Sequence, residues 1–148
     1  MHSDEYWMKQ ALREAESALN ENEVPIGAVL VKDNKLITAD HNRTKQLSNN
    51  LAHAEKLVIE EAVKAEKYLY DYTLYVTIEP CLMCAGTIIL SRVGKVVFGS
   101  YDEKAGAVGS VYNALLDKNF NHHPKVISGI LKDECSGILR NFFKEKRT

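Results

Sequence analysis

The chain has 148 residues, 45% of them hydrophobic and 26% charged, and its 19 basic and 20 acidic residues give a net charge of −1. This composition predicts one globular domain over residues 1–148, and it excludes a disordered chain, a collagen, a coiled coil and a general polyanion binder. Three cysteines, no apolar run long enough to span a bilayer, and a polar, acidic first segment predict a cytoplasmic protein without a disulfide framework.

The first quarter of the chain predicts a helix followed by a strand hairpin. Asp4 to Asn20 carries apolar residues at helical spacing, and Ser3 precedes it as a predicted N-cap. Two short apolar runs, Ile26–Val31 and Leu36–Ala39, flank the polar residues 32–35, a pattern typical of two strands joined by a tight turn.

The rest of the chain alternates between helical and extended patterns. β-Branched and aromatic residues indicate strands, and prolines mark the ends of elements. In chain order we predict a loop over His41–Asn50, a helix over about His53–Lys67, a strand at Leu74–Ile78, a helix from Pro80 to about Ser91, strands at Val96–Phe98 and Val126–Ile127, and a final helix over Ile130–Lys146 that is relaxed around Gly137.

The connection between the last two strands predicts the architecture. About 27 residues separate Phe98 from Val126, with apolar residues at helical spacing at Val111, Leu115 and Leu116. A parallel crossover needs a dozen or more residues and usually contains a helix. We therefore expect a three-layer α/β/α domain with a mixed five-stranded sheet, in which the last two strands are parallel.

Two short segments carry candidate metal ligands. His53-Ala54-Glu55 opens one predicted helix, and Pro80-Cys81-Leu82-Met83-Cys84 opens another. Cys-x-x-Cys alone serves redox pairs and zinc sites alike. Adding His53 gives three N/S ligands, the number that a catalytic zinc site uses while it keeps a position for water. We expect the remaining cysteine, Cys135, to be a small buried residue on the last helix.

Glu55 is the candidate general acid and base beside the metal site. Positions two apart on a regular helix point apart, so His53 and Glu55 converge only if His53 lies at the irregular first turn. A carboxylate beside a metal-activated water can accept its proton and deliver it to a leaving nitrogen. A solvated side chain is the ordinary alternative for a single His or Glu, but His-x-Glu together with Pro-Cys-x-x-Cys is the pattern of zinc deaminases.

Over nearly its whole length, the chain resembles the bacterial tRNA-specific adenosine deaminases of the cytidine deaminase superfamily. The zinc motif marks the superfamily, and the Phe-Asn-His segment and the Phe-Phe pair with a basic tail mark the tRNA-acting branch. The residues that carry the resemblance are Val24–Val29, Asn42-Arg43, Ala52–Glu55, Leu74–Gly86, Ser91-Arg92, Val97–Gly99, Gly109-Ser110, Phe120–His122 and Phe142-Phe143. Ser48-Asn49-Asn50-Leu51 departs from it, since many relatives carry Asp-Pro-Thr there.

The resemblance implies a cytidine deaminase-like fold, one Zn²⁺ per chain and hydrolysis of adenosine to inosine at the wobble position of a tRNA anticodon. Zinc-bound hydroxide would attack C6 of the flipped-out adenine while Glu55 moves protons. Asn42 would hydrogen-bond the purine, and the backbone amides of Ala54 and Cys81 would orient the attacking oxygen. The expected partners are the anticodon stem-loop and a second copy of the chain in a C2 homodimer.

The expected RNA contacts follow the same resemblance. Arg140–Thr148 contains four basic residues and one acidic residue, with two phenylalanines interleaved. We expect Phe142 in the core and Phe143 at the RNA, where an aromatic ring can stack on an unpaired base. Four further residues are expected to contact RNA, with Asp102 accepting from a ribose 2′-hydroxyl and Lys104 neutralising a phosphate: Asp102, Lys104, Asn121 and His122.

Two alternatives remain open at this point. The first is a free nucleobase or nucleoside deaminase of the guanine or cytosine type, which the aromatic and basic last helix disfavours. The second is a zinc-stabilised RNA-binding module without catalysis, which Glu55 and a three-ligand site disfavour, since a structural zinc is closed by four protein ligands.

Overall fold

The computed structural model describes residues 1–146, and every helix and strand in that range packs on one five-stranded sheet. The strand order is β2-β1-β3-β4-β5. The elements in chain order are α1 (Asp4–Asn20), β1 (Gly27–Lys32), β2 (Lys35–His41), α2 (Ala54–Ala62), β3 (Tyr72–Ile78), α3 (Leu82–Ser91), β4 (Lys95–Ser100), β5 (Lys125–Ile127) and α4 (Lys132–Lys146).

The sheet is mixed, as predicted. β1 is antiparallel to both β2 and β3, whereas β3, β4 and β5 are parallel to one another. In the parallel register, Ile78 is opposite Ser100 at the carboxyl ends of β3 and β4. The residues that follow these two strands, 79–81 and 101–110, are therefore brought to one end of the sheet.

The structure confirms the predictions of helix α1 and of the strand hairpin that follows it. The Ser3 hydroxyl oxygen accepts a hydrogen bond from the Tyr6 backbone N–H at 3.1 Å, which caps α1. The hairpin turns through Asp33 and Asn34, both in the left-handed region with φ of 51° and 58°. Two consecutive residues of this kind are what a type I′ turn requires, and Asp and Asn tolerate them.

Helices cover both faces of the sheet and complete the three layers. Along β1 and β3, successive side chains enter two separate cores, since side chains alternate across a strand. Val29 and Tyr75 pack with Trp7 and Met8 of α1 on one face, together with Cys135 of α4. The opposite core contains residues of α2 and α3 with their neighbours on the sheet: Val58, Ile59, Ile88, Leu30, Leu74, Val76, Val96 and Phe98.

Two glycines let the first layer lie close to the sheet. A Cβ at Gly27 would collide with the backbone of Ala11 and Ala15 in α1, so that helix packs directly on β1. A Cβ at Gly99 would collide with the side chain of Cys135, which is fully buried as predicted. Close backbone approach is one of the reasons for glycine inside a strand.

The prediction of a crossover helix between β4 and β5 is wrong. The connection contains only one turn of 3₁₀ helix, at Ala114–Leu116. Leu115 is completely buried, but Val111 and Leu116 are 46% and 64% exposed. The apolar spacing therefore reflects one anchoring residue in an irregular segment rather than a helix face.

Two other helices differ from their predicted limits. α2 ends at Ala62, five residues before the predicted end. The chain then leaves the helix, and the Leu69 N–H donates to the Ser91 carbonyl oxygen at 2.8 Å. α4 begins at Lys132 and continues through Gly137 without a break.

No helix within residues 1–146 is long and apolar enough to cross a membrane.

Candidate metal centre and its surroundings

Three side chains with soft or borderline donor atoms meet at the carboxyl end of β3. His53 is the N-cap of α2, Cys81 is the N-cap of α3, and Cys84 lies one turn further along α3. His53 Nδ1 is 3.6 Å from Cys81 Sγ and 3.7 Å from Cys84 Sγ. Neither N-cap side chain caps its own helix, so both are directed at this common point.

The geometry of this trio fits a zinc ion. Tetrahedral coordination with the usual Zn–S and Zn–N bond lengths places sulfur and nitrogen ligands about 3.5 Å apart. The three ligand atoms lie within 4.8 Å of one another. Two thiolates and an imidazole are a donor set that suits zinc, and three protein ligands leave a fourth position open.

The hydrogen bonds among Cys81, Cys84 and His53 favour negative charge on sulfur, which suits the binding of a cation. The Cys84 thiol donates a hydrogen bond to the Cys81 sulfur. This hydrogen bond and a second one from His53 lower the pKa of Cys81 to about 4. The same interaction, together with burial, raises the pKa of Cys84. Hydrogen bonding to Cys81 raises the pKa of His53. These contacts therefore favour the thiolate form of Cys81 at the start of α3, where the positive end of the helix dipole also stabilises negative charge.

Glu55 lies in the first turn of α2 and is only 3% exposed. His53 has extended backbone angles, φ −83° and ψ 148°, which confirms that it lies at the irregular turn where it can converge with Glu55. Burial raises the pKa of Glu55 to about 7. A carboxyl group with a pKa near neutrality can both accept and release a proton at physiological pH.

Asn42 connects the hairpin to α2. It is 6% exposed, and its Oδ1 accepts a hydrogen bond from the Ala54 backbone N–H at 2.9 Å. Its own backbone N–H donates to the Ile26 carbonyl oxygen at 3.1 Å. The Ala54 amide therefore holds Asn42 in place, an interaction that the sequence did not predict.

Buried polar residues that sequence reasoning missed attach the end of β2 to α1, and the loop after Asn42 to the turn that follows α1. His41, 3% exposed, lies between Glu14 and Glu21, with Nδ1 2.8 Å from one carboxylate and Nε2 2.6 Å from the other. The fully buried carboxylate of Glu23 accepts the N–H groups of Lys45 and Gln46 at 3.1 and 2.8 Å. The loop shape that the resemblance left open is thus set by side-chain contacts.

Glu79, which sequence reasoning also missed, anchors the segment after β4. Its side chain is 2% exposed, and its carboxylate accepts backbone N–H groups from Asp102, Val108 and Ser110. Asp102 in turn uses Oδ1 to accept the N–H groups of Lys104 and Ala105 at 3.1 and 3.2 Å. The sequence offered one signal for Glu79, a charged residue placed between an apolar strand and a proline.

The predicted RNA-contacting residues fall into two groups. Asp102, Lys104 and Phe143 line one cavity of about 310 Å³, next to Ile26. An adjoining cavity of about 600 Å³ shares Phe143 and adds the cations Arg140 and Lys144. Phe142 is 6% exposed and Phe143 is 44% exposed, which confirms the predicted division between core and surface. The last two residues of the predicted basic tail, Arg147 and Thr148, lie outside the described residues.

Asn121 and His122 lie elsewhere. The His122 Nε2 donates to the Val93 carbonyl oxygen at 2.6 Å, and its ring is 5.8 Å from the ring of Tyr70. Val93 precedes β4, so this contact lies at the amino end of the parallel strands, opposite the metal centre. Within one chain the structure does not bring these two residues together with Asp102 and Phe143.

A histidine and two cysteines beside one buried glutamic acid are what a hydrolytic zinc deaminase needs, and comparison with known families agrees. The cytidine and deoxycytidylate deaminase zinc-binding region matches residues 1–100. The chain therefore belongs to this family of zinc-binding deaminases.

Relatives that align over nearly the whole chain identify a smaller group within this family of zinc-binding deaminases. The tRNA-specific adenosine deaminase of Bacillus subtilis is 50% identical over 149 aligned positions, which cover 99% of this chain and 92% of that protein. The enzyme of the same name from Aquifex aeolicus is 45% identical over 97% of this chain and 95% of its own length. The chain belongs to the tRNA-specific adenosine deaminases.

Solved structures support the same placement. A chain from work on A-to-I editing by tRNA:A34 deaminases at the wobble position of transfer RNA has a TM-score of 0.87 and 43% identity, covering 90% of this chain and 99% of that one. A guanine deaminase from Nitrosomonas europaea has a TM-score of 0.82 at 22% identity, covering 96% of this chain and 85% of its own. The second likeness concerns the fold alone.

Proposed function

We propose that this chain hydrolyses adenosine to inosine at the wobble position of a tRNA anticodon. The observation that carries the proposal is the 50% identity to a tRNA-specific adenosine deaminase, which extends over 99% of the chain and so includes α4 as well as the metal segments. The geometry supports it, since the candidate RNA-binding cavities adjoin the loops that flank the metal centre.

One zinc ion per chain is proposed, held by His53, Cys81 and Cys84. When bound, zinc lowers the pKa of a coordinated water and so supplies a nucleophile at neutral pH. The buried Glu55 would take a proton from the attacking water and deliver it to the amino nitrogen of adenine, so that ammonia could leave as a neutral group. Asn42, held by the Ala54 amide, donates from Nδ2 to an acceptor nitrogen of the purine.

The RNA side of the site is assigned to the two cavities around Phe143. Phe143 stacks on an unpaired base, and Lys104, together with Arg140 and Lys144, neutralises phosphates. Asn121 and His122, at the other end of the parallel strands, would serve the RNA only across a second protomer.

We further propose a single cytoplasmic domain that works as a C2 homodimer. Large apolar side chains are exposed on one surface formed by α3 and the crossover, with Leu82, Tyr112 and Phe120 58%, 61% and 42% exposed around a cavity of about 280 Å³. An apolar patch of this kind is suited to pairing with a second copy.

A substrate panel tests the proposed reaction. The zinc-loaded protein is incubated with an anticodon stem-loop containing A34, and separately with free adenine, guanine, cytosine and cytidine, while ammonia release is followed. We expect rapid turnover of the stem-loop only, and the same stem-loop with G34 is the control. Turnover of any free base or nucleoside at a rate matching the RNA would replace the proposal with a nucleobase or nucleoside deaminase.

Asp102→Asn tests how RNA is distinguished from DNA. Asparagine can still accept the N–H groups of Lys104 and Ala105, so the turn is preserved. The variant loses the charge that is unfavourable beside phosphates unless a ribose 2′-hydroxyl donates to it. We expect the preference for RNA over single-stranded DNA of the same sequence to fall about tenfold at unchanged zinc content. Single-turnover rates on both substrates measure this, and an unchanged ratio would make Asp102 a turn residue only.

A further inference from the structure

The buried side chain of Glu79 accepts hydrogen bonds from the residues of one loop, 101–110. Its Oε2 accepts the N–H of Val108 at 2.8 Å and that of Ser110 at 3.0 Å, and its Oε1 accepts the N–H of Asp102 at 3.0 Å. The Ser110 hydroxyl also donates to Oε1. None of the ion pairs within residues 1–146 includes Glu79, so its charge is compensated by these four donors.

The loop is wrapped closely around this carboxylate. A Cβ at Gly106 would collide with the Glu79 carboxylate, so a side chain there would displace that carboxylate from its hydrogen bonds. The Ala107 N–H donates to the Pro80 carbonyl oxygen at 2.9 Å, and Gly106 forms an isolated bridge with Cys81. The loop is therefore attached to the same three-residue segment, 79–81, that delivers a metal-binding side chain.

We propose that Glu79 is the positioning residue that couples the RNA-binding loop to the metal centre. It fixes the backbone of Asp102, and through that turn Lys104, at a set distance from Cys81. Glu79 does not touch the substrate. Its contribution is to substrate binding and to sugar discrimination rather than to the chemical step, and this inference rests on the proposed function.

Glu79→Gln isolates this role because the two side chains have the same shape. A primary amide has one acceptor oxygen and one donor nitrogen group. Its oxygen is held by Val108 and Ser110, whose N–H groups both need an acceptor. The nitrogen then faces the Ser110 hydroxyl, which can rotate to accept, and the Asp102 N–H, which cannot. The substitution therefore disconnects Asp102 in particular.

The experiment compares Glu79→Gln with the wild-type holoenzyme on an anticodon stem-loop and on single-stranded DNA of the same sequence. We expect KM for the stem-loop to rise about tenfold, with kcat within about threefold of wild type and zinc content unchanged. The RNA-to-DNA ratio falls as in Asp102→Asn, and the double variant lowers it no further than either single variant, because both act through one contact.

A matched control is Glu23→Gln, which makes the same change in another buried carboxylate that holds a different loop through Lys45 and Gln46. It is expected to lower the thermal midpoint as Glu79→Gln does, but to leave the RNA-to-DNA ratio unchanged. If Glu79→Gln does not fold, Ser110→Ala removes one donor to the same carboxylate and is expected to shift KM in the same direction.

The inference is overturned if Glu79→Gln loses zinc, lowers kcat at constant KM, or leaves the RNA-to-DNA ratio intact. Amide hydrogen exchange separates it from the proposed function, since it needs no substrate. Faster exchange confined to residues 102–110 supports the anchoring role even if the stem-loop proves not to be the substrate. Unchanged exchange in that segment contradicts it even if the stem-loop is deaminated normally.

Discussion

Glu55→Ala is expected to abolish deamination while the zinc content and the affinity for the anticodon stem-loop stay at wild-type values. Glu55 is the buried carboxyl group beside His53, Cys81 and Cys84, and it is the group proposed to carry the proton from the water to the leaving nitrogen. General acid–base catalysis contributes about 10²–10⁴-fold to rate, so single-turnover deamination should fall by at least about a hundredfold.

Glu55→Gln provides the matched variant, since it keeps the shape of the side chain and cannot carry a proton. It should be as inactive as Glu55→Ala and more stable, because it leaves no cavity in the core. Metal analysis and binding of a labelled stem-loop distinguish loss of chemistry from loss of the site. Near-normal turnover in either variant would show that the proton is carried by a different group.

Cys81→Ala and Cys84→Ala are expected to lose the bound zinc and to lower the thermal midpoint of the protein substantially. The two sulfurs come from the start of α3 and the nitrogen from the start of α2, so a bound ion connects two helices. A metal that binds the folded chain in preference to the unfolded one adds its binding free energy to stability, which amounts to several kcal/mol for a tight site.

Cys135→Ala is the control for the loss of a sulfur. Cys135 is fully buried against Gly99 in the other core, and burial raises the pKa of its thiol to about 12. The variant should keep one zinc per chain and cost about 1 kcal/mol through the small cavity that it leaves. Metal analysis together with thermal unfolding, with and without a chelator, measures both effects. A fully zinc-loaded Cys81→Ala/Cys84→Ala double variant would refute the ligand assignment.

The sequence predicted the parts of the fold that local patterns determine. The Ser3 cap, the turn at Asp33-Asn34 and the strand at Leu74–Ile78 each depend on residues close together in the chain, and each prediction is confirmed. The metal trio was predictable for a related reason. Its residue types are rare in combination, and His53 and Cys81 each occupy a helix start that the sequence marks.

The rest depended on contacts between distant segments, which local patterns do not contain. Leu115 lies at helical spacing from Val111, yet tertiary packing buries only the first of them, and no helix forms. Glu23 and Glu79 were given no role by the sequence, although Glu79 stands between an apolar strand and a proline. Their partners are backbone N–H groups 22 to 31 positions away, and any residue type can supply such a donor, so no sequence pattern reveals the pairing.

The absence of a helix between β4 and β5 has a consequence for how substrate preference can change. Residues 101–124 contribute a single 3₁₀ turn and are held at separate points, by the Glu79 carboxylate, by the buried Leu115 and by the hydrogen bond from His122 to the Val93 carbonyl oxygen. Doubling the length of a flexible loop costs only about 0.6 kcal/mol in closure entropy. Insertions or deletions away from the anchors would therefore alter the surface presented to the substrate while the sheet and the metal-bearing helices stay unchanged. New specificities could arise by loop exchange on a constant catalytic scaffold.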